Sequence, residues 1–173
     1  TRYGGNTGKY RVLDALCTLG FDYPKRADFF RKELEEFLLL TREEHVDALS
    51  ALGSYAGAMG QGQFIPSSYR AYAVDFDGDG KRDLWSSERD VLGSVANYFK
   101  VHGWQQGAPV VARARVSGTA YKALLEKGLK PHMRAGDLAQ YGVQSDTPIA
   151  ADTQVALVEL EGANGLEQWV LFN

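Results

Sequence analysis

A chain of 173 residues is long enough for one domain with a sizeable core, or for a core with a small satellite lobe, and its 45% apolar and 24% charged residues exclude a disordered or fibrous polymer. Nineteen basic against 22 acidic side chains leave a net charge of -3, so no overall positive field exists to gather nucleic acid or anionic lipid. Cys17 is the single cysteine, which excludes an internal disulfide and any zinc site built from cysteine pairs, and fits a small buried residue.

The opening Thr1-Arg2-Tyr3-Gly4-Gly5 carries no charged-then-apolar targeting pattern, and the longest apolar runs fall far short of the roughly 20 residues of a membrane span. A cellular address or membrane anchor is therefore expected only upstream. Over residues 10–19, Val12, Leu13, Leu16 and Leu19 recur at helical spacing, with Gly20 where a left-handed cap would close a first helix. Pro24 suits the start of a second helix, whose Phe29, Phe30, Leu34, Phe37 and Leu38 form an apolar stripe beside Arg31, Lys32, Glu33, Glu35 and Glu36. Thr41 and Glu44 form a capping box for a third helix carrying Val46, Leu49 and Leu52 and ending at Gly53. Ser87 and Asp90 repeat the capping logic before Val91, Leu92, Val95 and Phe99, with Gly103 as the stop.

After Gly107-Ala108-Pro109 the period changes. Val110, Ala112, Ala114 and Val116 alternate with Arg113 and Arg115, the pattern of a half-solvated strand. Residues 119–127 predict a short helix stopped by Gly128, and residues 153–161 and 166–172 flank Gly162-Ala163-Asn164-Gly165 as a hairpin. The expected class is α+β: a mainly helical core over residues 1–105 and a smaller mixed lobe with a hairpin over residues 106–173.

Two segments carry chemistry. In Asp75-Phe76-Asp77-Gly78-Asp79-Gly80-Lys81 the acids stand at positions 1, 3 and 5 and a glycine at position 6, the opening of an EF-hand calcium loop. Carboxylates on alternate residues converge on one hard cation, Gly80 permits the sharp turn, and the Lys81 carbonyl supplies the seventh-position oxygen. Position 12 is Ser86 rather than the usual glutamate, so the closing carboxylate is expected from Asp90 in a longer loop, with Glu88 as the alternative. A single loop, with only Met59 and Met133 as methionines, argues against a paired-loop calcium sensor.

Upstream, residues 53–69 are dense in glycine and alanine and carry Ser54, Gln61, Gln63, Ser67, Ser68 and Tyr69. Such a segment allows close backbone approach and offers neutral hydrogen-bond partners for sugar hydroxyls and amides, though its composition fits a tight helix-packing segment equally well. The histidines His45, His102 and His132 are scattered without zinc spacing and with no serine–histidine–acid arrangement. Glu33, Glu35, Glu36, Glu43 and Glu44 are expected on solvated helix faces or in a cap.

Taken in order, Thr1-Arg2-Tyr3-Gly4, Ser54-Tyr55-Ala56-Gly57-Ala58-Met59-Gly60, Gln63-Phe64, Pro66-Ser67-Ser68-Tyr69, the loop from Asp75 to Trp85, and Gly93-Ser94-Val95-Ala96-Asn97-Tyr98 resemble the lytic murein transglycosylase B family over essentially the whole chain. The resemblance implies a lysozyme-like core, a structural calcium ion, peptidoglycan glycan strands as partner, and a place in the bacterial periplasm or cell envelope. It implies cleavage of the β-1,4 bond between N-acetylmuramic acid and N-acetylglucosamine without water, leaving a 1,6-anhydromuramyl end. The family's catalytic glutamate immediately precedes the Thr-Arg-Tyr-Gly motif, so the resemblance places no catalytic residue within residues 1–173. By the same carry-over, Ser54 and Gln63 would hydrogen-bond sugar or catalytic groups, Phe64 would pack on the saccharide, Tyr98 would present its hydroxyl, and Lys25-Arg26 would meet peptide-stem carboxylates. The alternative is a non-catalytic, calcium-stabilised peptidoglycan-binding fragment, with Ser54 as a helix cap and Tyr98 as a core aromatic.

Overall fold

The computed structural model describes residues 4–163 and 165–172. The chain divides into two compact units, Thr1–His102 and Gly103–Asn173.

In the first unit a two-residue strand β1 (Tyr10–Arg11) leads directly into helix α1 (Val12–Phe21), and a 3-10 turn at Pro24–Arg26 leads into α2 (Ala27–Glu43). The apolar stripe of α2 is real: Phe30, Phe37 and Leu40 are buried with Val12 and Leu16 of α1 in one core, as an amphipathic pair requires. Gly20 does not cap α1. It lies buried within the last turn, where a Cβ would meet the Arg31 side chain of α2 at 3.2 Å, so glycine serves the close approach of the two helices. The chain instead leaves α1 through Asp22, whose N–H donates to the Thr18 carbonyl at 2.8 Å.

The third helix expected after Thr41 is absent. Thr41 is inside α2, its hydroxyl donating to the Leu38 carbonyl at 3.1 Å, and His45 turns the chain away at φ 54°. The spacing of Val46, Leu49 and Leu52 does not mark a buried face, since Leu49 is 61% and Leu52 47% exposed. Leu52–Gly53 forms β2, antiparallel to β1 with Tyr10 opposite Gly53. A short helix the apolar periodicity did not reveal, α3 (Pro66–Tyr72), starts at a proline, as fixed φ and a missing N–H favour. Its second residue is capped from α2: Glu33, expected on a solvated face, is buried and accepts from the Ser67 N–H at 2.9 Å and the Ser67 hydroxyl at 2.7 Å. Helix α4 (Glu88–Val101) has its predicted cap, the Ser87 hydroxyl oxygen accepting from the Asp90 N–H at 3.3 Å.

The second unit is a five-stranded antiparallel sheet in the order β4-β6-β7-β3-β5, built from β3 (Val111–Val116), β4 (Met133–Arg134), β5 (Val143–Ser145), β6 (Gln154–Gly162) and β7 (Gly165–Leu171). Helix α5 (Lys122–Leu125) and a 3-10 segment (Ala135–Tyr141) complete it. Alternation in β3 buries Ala112 and Ala114 and leaves Arg113 and Arg115 outside. The hairpin β6–β7 closes with Gly162 opposite Gly165.

Candidate functional site

The glycine-rich segment folds on itself through backbone bridges pairing Gly53 with Met59 and Met59 with Phe64. Ser54 closes the first turn. Its N–H donates to the Ala58 carbonyl at 2.8 Å, and its hydroxyl oxygen accepts from the Ala56 and Ala58 N–H groups at 3.2 and 3.1 Å. Gln63 closes the second from a left-handed backbone, φ 53°. Its side-chain Nε2 donates to the carbonyls of Gly60 at 2.9 Å and Thr7 at 3.1 Å.

These turns aim Phe64 at α4, where its ring centroid lies 5.7 Å from that of Tyr98. Tyr98 in turn stacks on His102 at 4.0 Å and meets Tyr72 edge-on at 5.2 Å. Gly62, Gln63, Phe64, Ile65, Ser68, Val95, Tyr98 and Phe99 line one cavity of about 380 Å³. A second cavity of about 470 Å³, lined by Gly4, Gln61, Gly62, Glu88, Val91, Leu92 and Val95, shares Gly62 and Val95 with the first. The structure thus brings Gln63, Phe64 and Tyr98 together. Ser54 is not among the lining residues, and Arg26 is not either: its guanidinium lies over Phe29 at 4.2 Å and Phe30 at 5.3 Å.

Gln61 drew no separate role from sequence, because a lone amide in a glycine-rich run has no signature. In the fold its N–H donates to the Leu84 carbonyl at 2.8 Å and its Nε2 to the Trp85 carbonyl at 3.1 Å, tying the groove floor to the end of the acidic loop.

In that loop Asp75, Asp77 and Asp90 each offer a carboxylate oxygen, and these oxygens lie within 4.8 Å of one another. Oxygens bound to one calcium at about 2.3–2.6 Å stand up to about 5 Å apart across the ion, so the donor set fits. Asp90 is fully buried and staples the loop, its oxygens accepting from the Phe76 and Asp83 N–H groups at 2.8 Å each. Gly80 takes φ +89°, the turn that position 6 demands. Asp75 accepts from the Gly78 and Gly80 N–H groups at 2.7 and 2.8 Å. Asp79 stands outside the carboxylate group, its Oδ1 accepting from the Lys81 N–H at 2.9 Å. Glu88, the alternative closing ligand, is also outside it and lines the second cavity.

Behind the loop an ion cluster joins three elements. Arg70 of α3 pairs with Glu36 and Glu43 of α2, and Arg82 with Glu43 and Glu44. Glu44 is thus a partner of Arg82, whose N–H and Nε donate to it at 3.0 and 2.6 Å, rather than part of a helix cap. Hydrogen bonds from Arg70 hold the Glu43 carboxyl below its ordinary value, against the opposing effect of burial. Burial pushes the Tyr69 hydroxyl well above the usual phenol value, and this hydroxyl donates to the Arg82 carbonyl and accepts from the Leu84 N–H at 3.3 Å.

The family model for the transglycosylase SLT domain matches residues 1–173. This chain belongs to that family. Within the SLT family it is 47% identical over 169 residues to the membrane-bound lytic murein transglycosylase B of Escherichia coli, covering 98% of this chain and 45% of that protein. Among solved structures it is similar to the catenated lytic transglycosylase SltB1 of Pseudomonas aeruginosa (TM-score 0.90, 54% identity, 99% of this chain and 57% of that one). It is also similar to the E. coli lytic transglycosylase Slt35 in complex with calcium (0.80, 45%, 99% and 54%). A third is P. aeruginosa SltB3 in complex with NAG-anhNAM-pentapeptide (0.80, 35%, 99% and 46%). The SLT chain therefore has the lysozyme-like α+β fold of lytic transglycosylases and spans about half the length of the relatives it matches. Among its described residues no helix is long and apolar enough to cross a membrane.

Proposed function

We propose that residues 1–173 form the glycan-holding, calcium-stabilised body of a lytic transglycosylase that cleaves the β-1,4 bond between N-acetylmuramic acid and N-acetylglucosamine in peptidoglycan, in the bacterial periplasm or cell envelope. The observation that carries this reading is the aromatic cavity of Gln63, Phe64 and Tyr98 in a chain whose relatives are lytic murein transglycosylases. Ring faces on Phe64 and Tyr98 suit the apolar faces of sugar rings, and the Tyr98 hydroxyl and Ser68 suit their hydroxyls. Ser54 and Gln63 act in this reading by fixing the turns that place Phe64.

In the reaction a carboxylic acid protonates the glycosidic oxygen as its bond to the muramyl C1 breaks. The resulting carboxylate takes the proton of the C6 hydroxyl as O6 bonds to C1, closing the 1,6-anhydro ring. Water is not consumed, which distinguishes the product from that of a hydrolase. Asp75, Asp77 and Asp90, together with Asp79 and the Lys81 carbonyl, would hold one calcium ion, whose charge would offset the crowding of these acids and fix the loop ahead of α4. Mass spectrometry of a cell-wall digest by the full-length protein tests the activity: anhydromuropeptides, one water lighter than hydrolysed ends, are expected, and hydrolysed ends would instead make it a lysozyme-type enzyme.

A further inference from the structure

The second cavity adjoins the aromatic one, sharing Gly62 and Val95 with it, so it is a neighbouring site for a ligand held on Phe64 and Tyr98. Its polar lining accepts rather than donates. The Glu88 carboxylate makes no hydrogen bond or ion pair with the described residues. It stands in the first turn of α4. The amide nitrogen of Gln61 is spent on the Trp85 carbonyl, which leaves its Oε1, lying over Gly4 where a Cβ would come within 2.7 Å of it. Beside these acceptors Val91 and Leu92 supply an apolar wall, Leu92 being 70% exposed. A lone carboxylate, an amide oxygen and an aliphatic wall suit a ligand that ends in a donor with positive charge on a methylene chain; they disfavour an anion.

We propose that this cavity is a subsite for the peptide stem of murein, taking the ammonium group of a diamino acid side chain against Glu88 and the Gln61 Oε1, with its methylenes along Val91 and Leu92. The proposal rests on the reading that the chain holds murein glycan. It also gives Glu88 a role that the acidic loop does not, since Asp90 occupies the closing position there.

Calorimetry on the chain in calcium tests it with three probes: chitotetraose, the disaccharide–tripeptide whose third residue is lysine, and the same muropeptide with its side-chain amine acetylated. A partly exposed charge pair predicts that the amine-bearing muropeptide binds about twofold to fivefold tighter than its acetylated form, a difference that shrinks in high salt. Glu88→Gln should abolish that difference while leaving chitotetraose and calcium affinities unchanged. Equal binding of the two muropeptides to the unaltered chain, or a difference that persists in Glu88→Gln, would overturn the subsite. So would a Glu88→Gln variant whose chitotetraose or calcium affinity falls in step, because Glu88 would then act through the fold. If chitotetraose binds while the muropeptides are not distinguished, only the subsite fails; if no probe binds, the murein reading fails with it.

Discussion

Gln63 shows how a residue that lines a cavity can act through the backbone. Its Nε2 holds the Gly60 and Thr7 carbonyls, so Gln63→Ala strips this donor from the Thr7 carbonyl and leaves the Gly60 carbonyl only the backbone N–H of residue 63 at 3.2 Å, and should destabilise the protein by roughly 1–3 kcal/mol. Urea unfolding measures this; unchanged stability with weaker saccharide binding would instead make the amide a direct sugar ligand. Tyr69 makes a parallel case in the core, where it is fully buried and its hydroxyl bridges the Arg82 carbonyl and the Leu84 N–H. Removing only the oxygen in Tyr69→Phe strands a buried N–H, at a cost of about 1–3 kcal/mol, with the ring packing retained. The same unfolding experiment should show that loss with no change in the number of transitions.

Between elements, charge does the joining. The Arg70 and Arg82 cluster links α2, α3 and the acidic loop, and the Glu43 carboxyl in it titrates below its ordinary 4.5. A carboxylate stabilised in the fold contributes stability that is complete above the unfolded-state value and is lost as pH falls through the lower folded-state value. Stability should therefore decline below about pH 4.5, and less steeply in Arg70→Gln, which has already lost the pairing. With Glu43 40% exposed, solvent and salt screen the effect, so it should shrink at high ionic strength. Unfolding curves at pH 6 and pH 3 in both proteins check the difference. The acidic loop makes the second elemental link, since Asp90 belongs to α4 while Asp75 and Asp77 precede it. Calcium at about 100 times its dissociation constant should add about 2.7 kcal/mol of stability by linkage. Asp75→Asn with Asp77→Asn should abolish both the binding heat and the rise in melting temperature; a chelator that leaves the unaltered protein's melting temperature unchanged would exclude a structural ion.

For the molecule as a whole, among the described residues the aromatic cavity is lined by no acid, and the adjoining one by Glu88 alone. Protonating a leaving oxygen requires an acid held at that oxygen. Residues 1–173 by themselves should therefore bind chitotetraose without cutting murein. Calorimetry and mass spectrometry on the same preparation check the two halves, and anhydromuropeptides released by this chain alone would refute the second.

The periodic stripe of α2, the Ser87 cap of α4, the alternation in β3 and the acid spacing of the loop were legible in the sequence because each is set by residues within a few positions of one another. So was the family, carried by several short motifs in fixed order. Other features depend on partners far along the chain. Gly20 reads as a helix stop until Arg31 of α2 is seen against it, and Glu33 reads as solvated until α3 brings Ser67 onto it. Leu49 and Leu52 keep helical spacing in a segment whose neighbours leave them exposed, so β2 forms there against β1. Local spacing determined which elements and which chemistry were available to this protein. Tertiary packing decided which polar groups are spent on the backbone, as the Gln63 amide is on the Thr7 carbonyl, and which, like the Glu88 carboxylate, have no partner among the described residues, because a hydrogen bond made across tens of residues has no signature in local sequence.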